Sequence, residues 1–477
     1  MHIYAIVLAA GQGTRMKSKL YKVLHKVCGK PMVKHVVDML HKVQVDRTVV
    51  VVGHGANTVR DTLGDQVEYV LQEQQLGTGH AVLQTAALLE NLEGVTLILY
   101  GDTPLLTEET IRNLIQVHTQ QLAAGTLLTA QMDNPTGYGR IVRNEQGSVL
   151  RIVEEKDCSE EERMIKEINT GTYCFNNRQL YEALHQVTNH NAQGEYYVTD
   201  VIGILYKAGQ HIEGYCISDP EEATGVNDRV ALSQVEAVLR KRINKQHMVR
   251  GVTFINPDTT YIDADVTIGA DTVIHPDCYL RGSTVVGSDC IIGPQTEIID
   301  SILHDGIQVR QSVLDQAEVG MGCTIGPFAY LRPGAKLADK VKIGDFVEVK
   351  NSTIGEGSKV PHLSYVGDAH IGKNVNIGCG SITANYDGVQ KHVTQIDDNA
   401  FIGSNSNLIA PVHIGKGAYV VAGSTITLNV AADDLAIGRA KQTNKPGYAV
   451  KLRARINNAG GSGGSVRLPA SADNTAE

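Results

Sequence analysis

The 477-residue sequence lacks a surplus of basic residues and lacks any apolar run long enough to cross a bilayer. Its formal net charge is -9, which argues against a nucleic-acid-binding protein, because phosphate contacts need a basic face. A membrane-spanning helix needs about 20 apolar residues. The apolar start, Met1 to Ala10, has no basic leading segment and runs into a glycine turn, unlike a signal peptide. We therefore expect a cytoplasmic enzyme with small-molecule substrates and no membrane or nucleic-acid partner.

Paired cysteines are also absent. The sequence has eight cysteines and no Cys-x-x-Cys motif, which argues against a disulfide framework or a zinc site. Their scatter along a chain of this size predicts reduced thiols that are mostly packed in the interior. The cysteines are Cys28, Cys158, Cys174, Cys216, Cys278, Cys290, Cys323 and Cys379.

The strongest chemical motif is the segment Leu8 to Met16, a predicted strand that ends in Gly-x-Gly. The backbone N–H groups of such a turn can approach a polyphosphate closely, and Arg15 adds positive charge. The dinucleotide fingerprint and the P-loop would each need a glycine at position 16, which is methionine, so neither motif is present. Taken alone, the segment could also be a glycine turn without a ligand.

Residues 1–227 alternate short apolar runs with segments of helical spacing. The predicted strands include Ala5 to Leu8, Thr48 to Val52 and Thr96 to Leu99, and a helix is predicted around Met32 to Leu40. This alternation predicts a Rossmann-like α/β domain with a mostly parallel sheet covered on both faces. Residues 228–250 form one predicted amphipathic helix that follows an Asn/Asp cap and links this domain to the next.

Aliphatic residues recur every six residues between Val266 and Ile426, in four runs of different phase, and glycine often follows them. No α-helix or ordinary sheet has this period, whereas a parallel β-helix does. Three hexapeptides close one coil, so the region predicts roughly ten coils. The runs begin at Ile268, Val313, Ile354 and Ile396. We therefore predict an all-β domain over 251–453 and a disordered Gly/Ser-rich tail over 454–477.

The first half of the chain resembles the sugar nucleotidyltransferases, whose signature Leu-x-x-Gly-x-Gly-Thr-x-Met followed by a lysine appears here as Leu8 to Met16 and Lys22. Together with the hexapeptides, residues 3 to about 453 resemble the bacterial bifunctional uridylyltransferase/acetyltransferase family. The resemblance implies a left-handed β-helix, a homotrimer and synthesis of UDP-N-acetylglucosamine for peptidoglycan and lipopolysaccharide. Acetyl-CoA would acetylate glucosamine 1-phosphate, and UTP would then uridylylate the product and release pyrophosphate.

The resemblance implies one site for uridylyl transfer in the first half. Arg15 and Lys22 would hold the leaving phosphates, while Asp102 and Asn227 would bind Mg²⁺. One carboxylate and one amide oxygen suffice, because Mg²⁺ takes oxygen ligands and keeps several waters. Gln72, Gly77 and Thr78 would read the uracil, and Gly139, Glu154 and Asn169 would contact the sugar. The remaining nucleotide contacts implied are Leu8, Ala9, Ala10, Gly11, Tyr100 and Gly101.

The resemblance implies a second site, for acetyl transfer, in the β-helix. His362 would accept the proton of the substrate ammonium, which has no lone pair with which to attack a thioester. Arg332 and Lys350 would bind the sugar phosphate, and Tyr365, Asn376 and Asn385 the amino sugar. The implied acetyl-CoA contacts are Cys379, Asn385, Tyr386, Ser404, Ala422 and Arg439. The family usually has alanine in place of Cys379, but the contact is by main chain, so we expect binding to survive.

Two alternatives stay open at this point. A monofunctional sugar-1-phosphate nucleotidyltransferase with a non-catalytic, oligomerising β-helix would not need His362, Asn385, Tyr386 or Arg439. A non-catalytic solenoid scaffold would not need Gly-x-Gly-Thr-Arg with Lys22 and Asp102.

Overall fold

Nine strands between residues 3 and 217 form one sheet in the computed structural model, which describes residues 1–459. The order across the sheet is β9-β5-β8-β4-β1-β2-β3, with a β6-β7 hairpin attached to β8. The strands are β1 Ile3–Ala9, β2 Arg47–Val52, β3 Glu68–Leu71, β4 Val95–Tyr100, β5 Gly125–Gln131, β6 Arg140–Arg143, β7 Val149–Val153, β8 Glu167–Asn176 and β9 Ile212–Ile217.

The sheet is mostly parallel, as predicted. Strand β1 pairs in parallel with β2 and β4, β2 with β3, and β5 with β9. Strand β8 is antiparallel to both of its neighbours, β4 and β5. The three strands predicted from apolar runs lie within β1, β2 and β4.

Alternate residues of β1 enter two hydrophobic cores, one on each face of the sheet. Ala5 and Val7 belong to one core and Ile6 and Leu8 to the other. Helices α1 and α5 cover the first face, and α7 and α8 cover the second. The helices are α1 Met32–Val43, α2 Ala56–Leu63, α3 Thr78–Leu83, α4 Ala86–Leu89, α5 Glu108–Gln120, α6 Glu160–Arg163, α7 Asn177–Leu184, α8 Asp200–Lys207, α9 Arg229–Val249 and α10 Tyr448–Ala459.

Helix α9 is the linker helix that the sequence predicted. The Asp228 carboxylate caps it by accepting a hydrogen bond of 2.9 Å from the Ala231 N–H. Arg242 donates to the Leu105 carbonyl at 2.6 Å, on the side of the first domain. Asn244 donates to the Pro257 carbonyl at 2.8 Å, on the side of the β-helix. The helix therefore packs against both halves of the chain.

Residues 253–436 form three parallel sheets that stack short strands of successive coils. Face 1 has 11 strands, from Thr253–Phe254 to Leu435–Ala436, and face 2 has ten, from Tyr261–Ile262 to Thr425–Ile426. Face 3 has nine, from Thr267–Ile268 to Val412–Ile414. The ten strands of face 2 confirm the predicted number of coils.

The inward positions follow the predicted aliphatic runs with one correction. The run predicted to start at Val313 starts one residue later, because Leu314 is fully buried and Val313 only half-buried. Leu314 pairs with Ile298 and Leu331 on the adjacent coils. Steps of five residues, at Val309 to Leu314 and Leu314 to Val319, shift the phase without a loop.

All eight cysteines are free, and six of them are buried, which confirms the predicted packed thiols.

Within residues 1–459, no helix combines the length and the apolar character that crossing a membrane requires. Helix α10 continues to Ala459, past residue 454 where the disordered tail was predicted to start. The remainder of that predicted tail, 460–477, lies outside the described residues.

Candidate functional sites

A cavity of about 260 Å³ opens at the carboxyl ends of β1 and β4. Ligands of open α/β sheets bind at such strand ends. Ten residues predicted for the nucleotide line it: Leu8, Ala9, Ala10, Gly11, Lys22, Gln72, Gly77, Thr78, Tyr100 and Asp102. The sequence analysis missed four further lining residues, namely Val23, Gln75, Ala81 and Glu195.

Lys22 is the centre of a charged cluster at this cavity. Its ammonium group contacts the Asp102 carboxylate and lies 3.3 Å from Oδ1 of Asn227. Arg15 donates to the same amide oxygen at 2.9 Å. Gly13 has a left-handed backbone (φ 67), and a Cβ there would overlap the Lys22 side chain. Glycine at position 13 therefore allows the Gly-x-Gly loop to lie directly on Lys22.

Asp102 and Asn227 fit a divalent cation. Their oxygens both face the Lys22 ammonium, so they are directed at one positive charge. Among the described residues, no group of three or more His, Cys, Asp or Glu side chains could hold a metal without help. A cation at Asp102 and Asn227 would therefore take its other ligands from water and from substrate phosphate oxygens.

Gln72 is buried at the far end of the cavity. Its amide donates to the Gly77 carbonyl at 3.1 Å and lies 3.1 Å from His80 Nδ1. Thr78 begins α3 and accepts a 3.0 Å hydrogen bond from the Val198 N–H. Gln75 donates to the Ala10 carbonyl at 2.6 Å and so closes the wall between the glycine loop and this end.

The three predicted sugar contacts lie on two sides of Tyr100. Gly139 and Asn169 form one side, and Glu154 forms the other. Asn169 donates its backbone N–H to the Gly139 carbonyl at 2.8 Å, so these two residues are adjacent. Glu154 lines a neighbouring cavity of about 720 Å³ and accepts a 3.3 Å hydrogen bond from the Thr199 hydroxyl. Burial raises the pKa of the Glu154 carboxyl. Burial, with the nearby charges of Glu154 and Asp102, also raises the pKa of Tyr100. Tyr100 lines the first cavity and lies close to Glu154.

In the β-helix, five predicted residues follow one corner, between face 1 and face 2. Backbone hydrogen bonds stack their coils: Gly380 N–H donates to the His362 carbonyl at 3.3 Å and Asn405 N–H to the Cys379 carbonyl at 2.7 Å. Below them, Gly423 N–H donates to the Ser404 carbonyl at 2.8 Å. We call these five residues the corner column. His362 is the predicted base, and the other four are predicted acetyl-CoA contacts: Cys379, Ser404, Ala422 and Arg439.

A second group of predicted residues lies on face 2 and at its opposite edge. The Asn385 amide contacts the Asp368 carboxylate and lies 3.5 Å from the Tyr365 hydroxyl. Arg332 forms a 2.7 Å ion pair with Glu348. Lys350 follows on the next coil, and its hydrogen bond with nearby Lys391, together with its charge, lowers the pKa of Lys391. Arg332, Lys350 and Lys391 therefore form a basic patch beside Tyr365 and Asn385.

The structure does not join every predicted residue of this second site. Asn376 lies on face 1, and Tyr386 lies in an exposed loop where its hydroxyl donates to the Gly388 carbonyl at 2.6 Å. Within residues 1–459, neither makes a side-chain hydrogen bond to another predicted site residue. The sequence analysis also missed Asp345, which bonds His362 Nδ1 at 2.5 Å. Its spacing of 17 residues from His362, about one coil, was a usable signal.

Two family models match different parts of the chain. A nucleotidyl transferase family model matches residues 4–220, and a bacterial transferase hexapeptide model (six repeats) matches 265–300 and 394–427. The hexapeptide match, over three parallel sheets, identifies the second half as a left-handed parallel β-helix.

Several curated relatives match along almost the whole chain. The Brevibacillus brevis protein named "Bifunctional protein GlmU" is 60% identical over 94% of this chain and 98% of its own length. Proteins of the same name from Geobacillus sp. (strain WCH70) and Geobacillus thermodenitrificans are each 58% identical over 95% of this chain, and over 99% and 98% of their own lengths. The chain therefore belongs to the family of bifunctional GlmU proteins.

Proposed function

We propose that the chain synthesises UDP-N-acetylglucosamine at two separate sites, the cavity at Lys22 and the β-helix around His362. It acetylates glucosamine 1-phosphate with acetyl-CoA and then transfers a uridylyl group from UTP to the product. The product is a precursor of peptidoglycan and lipopolysaccharide. The observation that carries the assignment is the cluster of Arg15, Lys22, Asp102 and Asn227, of which Lys22 and Asp102 line the cavity at the ends of β1 and β4. Both donors, UTP and acetyl-CoA, are cytoplasmic metabolites, so we place the enzyme in the cytoplasm.

Uridylyl transfer brings two anions together, because the sugar phosphate attacks the α-phosphorus of UTP in line with the leaving pyrophosphate. Mg²⁺, our choice of divalent cation, would neutralise charge on the phosphates when held by Asp102 and Asn227. Arg15 and Lys22 bind the leaving pyrophosphate, and the buried Gln72 amide reads the uracil edge. Glu154, Gly139 and Asn169 orient the N-acetylglucosamine.

Acetyl transfer needs a free amine. The Nε2 atom of His362 removes a proton from the ammonium of glucosamine 1-phosphate, and the amine then attacks the thioester carbonyl. The C–S bond breaks, the amide C–N bond forms, and CoA leaves as the thiol after taking up a proton. Arg332 and Lys350 hold the phosphate, and Tyr365, Asn376 and Asn385 hold the sugar. Acetyl-CoA follows the corner column past Cys379, Ser404, Ala422 and Arg439, with Asn385 and Tyr386 as further contacts.

We propose that this site is completed in a homotrimer. In one chain, its residues divide between the corner column and the far edge of face 2. Beside the corner column, Phe328, Phe346 and Leu363 are between 51% and 57% exposed. All three have the left-handed backbone of the corner turn, which Gln295 and Gln311 share on preceding coils, so exposed apolar side chains replace polar ones at this corner. A neighbouring copy that covers this ridge would bury apolar surface and bring a second face 2 to the corner column.

The test separates the bifunctional enzyme from the monofunctional alternative. The purified chain is mixed with acetyl-CoA and glucosamine 1-phosphate without UTP, and release of the CoA thiol is measured. We expect release that depends on glucosamine 1-phosphate. If no thiol appears while UTP and N-acetylglucosamine 1-phosphate still give pyrophosphate, the β-helix has no acetyltransferase site. Sedimentation of the same preparation tests the trimer, and a monomer at assay concentration would contradict it.

A further inference from the structure

Asp345 and His362 occupy the same place on successive coils of the β-helix. They are paired in the register of face 1, where the Leu363 N–H also donates to the Asp345 carbonyl at 2.9 Å. Each is followed by a residue with a left-handed backbone, Phe346 (φ 54) after Asp345 and Leu363 (φ 45) after His362. The backbone therefore makes the same turn after both, and their side chains leave the corner side by side.

The two coils approach closely because position 344 is glycine. A Cβ on Gly344 would overlap the Pro361 carbonyl oxygen on the next coil. With this approach, His362 Nδ1 and Asp345 Oδ1 lie 2.5 Å apart, a charge-assisted distance. Among the described residues, the Asp345 side chain makes no hydrogen bond or ion pair to any residue other than His362 and itself.

The contact decides which nitrogen of His362 is available. An ionised carboxylate can only accept, so the hydrogen of the neutral imidazole lies on Nδ1. The lone pair is then on Nε2, which points away from Asp345. We propose that Asp345 is a positioning residue for acetyl transfer, which fixes the tautomer and orientation of His362 and stabilises the imidazolium formed when His362 takes the substrate proton. This inference rests on the proposed role of His362 as the base.

Other groups near His362 do not supply this effect. On the following coil the neighbour in the corner column is Cys379, and on its own strand Lys359 lies three residues away. Tyr365 begins the next strand, on face 2. Glu348, the strand partner of Tyr365, forms its ion pair with Arg332 instead. Asp345 is thus the acidic group that bonds the imidazole, and His362 lowers the pKa of its carboxyl, as expected for an ion pair.

The pair is well suited to testing because it is partly exposed. The side chains of His362 and Asp345 are 55% and 37% exposed. Exposed pairs contribute little to folding, so their removal should leave the fold intact. The chain also offers a matched control, because Asp397 Oδ2 and His413 Nε2 lie 2.7 Å apart on face 3, away from the corner column.

The experiment compares Asp345→Asn, Asp345→Ala and the control Asp397→Asn in the full-length enzyme. The rate of CoA thiol release is measured from pH 5.5 to 9. The Tm of the full chain reports folding of the β-helix, and uridylyl transfer reports folding of the first domain. We expect kcat for acetyl transfer to fall about tenfold in Asp345→Asn and further in Asp345→Ala, with KM for both substrates little changed. Without the carboxylate the imidazolium is less favoured, so the acid limb of the pH profile should move to lower pH.

The control variant should keep both the rate and the pH profile of the wild type. If Asp345→Asn loses activity equally at all pH values with an unmoved acid limb, Asp345 has only a structural role and the inference is overturned. Unchanged activity in Asp345→Ala would overturn it as well. A His362→Ala variant is measured alongside to test the role of His362 separately. Full acetyl transfer in that variant would show that His362 is not the base.

Discussion

Replacing Asp102 with asparagine tests the uridylyl site most sharply. Asn is nearly isosteric but removes the negative charge that faces the Lys22 ammonium and the proposed cation. The side chains of Asp102 and Lys22 are only 10% and 17% exposed, so little water screens their interaction. After the change Lys22 keeps the Asn227 oxygen at 3.3 Å as its remaining partner.

The magnitude follows from these contacts. Loss of one preorganised charge at a phosphoryl-transfer site typically lowers the rate by about 10²- to 10³-fold, or about 3–4 kcal/mol of transition-state stabilisation. Breaking a largely buried ion pair also destabilises the folded state, here by about 2 kcal/mol because the amide still accepts a hydrogen bond. We therefore expect a Tm lower by roughly 5 °C for the first unfolding step.

The assay measures kcat/KM for pyrophosphate release from UTP and N-acetylglucosamine 1-phosphate, and CoA thiol release in parallel. Acetyl transfer should stay near the wild-type value. The control is Asp133→Asn, because Asp133 pairs with Lys166 at 3.1 Å but is fully exposed, and it should keep both activities. Uridylyl transfer within tenfold of wild type would exclude an essential charge at Asp102, and a parallel loss of both activities would exclude separate sites.

Four further predictions address other parts of the molecule. His362→Ala should lower acetyl transfer by at least about a hundredfold and leave pyrophosphate release unchanged, and equal loss of both activities would contradict separate sites. A fragment ending at Arg250 should keep uridylyl transfer, because α9 is held to the first domain through Arg242, and a soluble but inactive fragment would place the boundary elsewhere. Glu154→Gln should raise Tm at pH 7.5, because it removes a buried charge that lowers the free energy of unfolding by about 1 kcal/mol. The raised pKa means that wild-type Glu154 gains a proton as the pH falls, so this difference in Tm should shrink towards pH 5, and a difference independent of pH would exclude burial as the cause. Gly344→Ala should destabilise the β-helix by at least about 1 kcal/mol, because the new Cβ would overlap the Pro361 carbonyl. The control Gly203→Ala in α8 should stabilise the protein slightly, because a Cβ there meets nothing within 4 Å. Similar Tm values for both variants would contradict the close approach of the coils.

The sequence predicts the first domain well because its signals are local. The apolar runs of β1, β2 and β4 are bounded by turns, and the Gly-x-Gly loop follows directly from the end of β1. Parallel pairing then brings Ala9 and Tyr100 to the same edge of the sheet. The contact of Lys22 with Asn227, 205 residues apart, depends instead on how α9 packs and has no local signal.

The β-helix shows where pattern reading fails. A strict period of six places Val313 inside, but the coil takes a five-residue step and buries Leu314. Each such step shifts by one residue which of the following positions point inward. The sequence predicted that His362 and Asn385 belong to one site. It could not show that, within one chain, they lie at opposite edges of face 2. The 17-residue spacing points to the pairing of Asp345 with His362, but only the register of the coils places the two side chains together.

The central claim is that two independent sites act in sequence on one chain. The most direct measurement follows UDP-N-acetylglucosamine formed from glucosamine 1-phosphate, acetyl-CoA and UTP by Asp102→Ala, by His362→Ala, and by an equal mixture of the two. We expect that neither variant alone makes the nucleotide sugar and that the mixture does, since the acetylated intermediate can diffuse from one variant to the other. Formation of product by either variant alone, or none by the mixture, would contradict two independent sites.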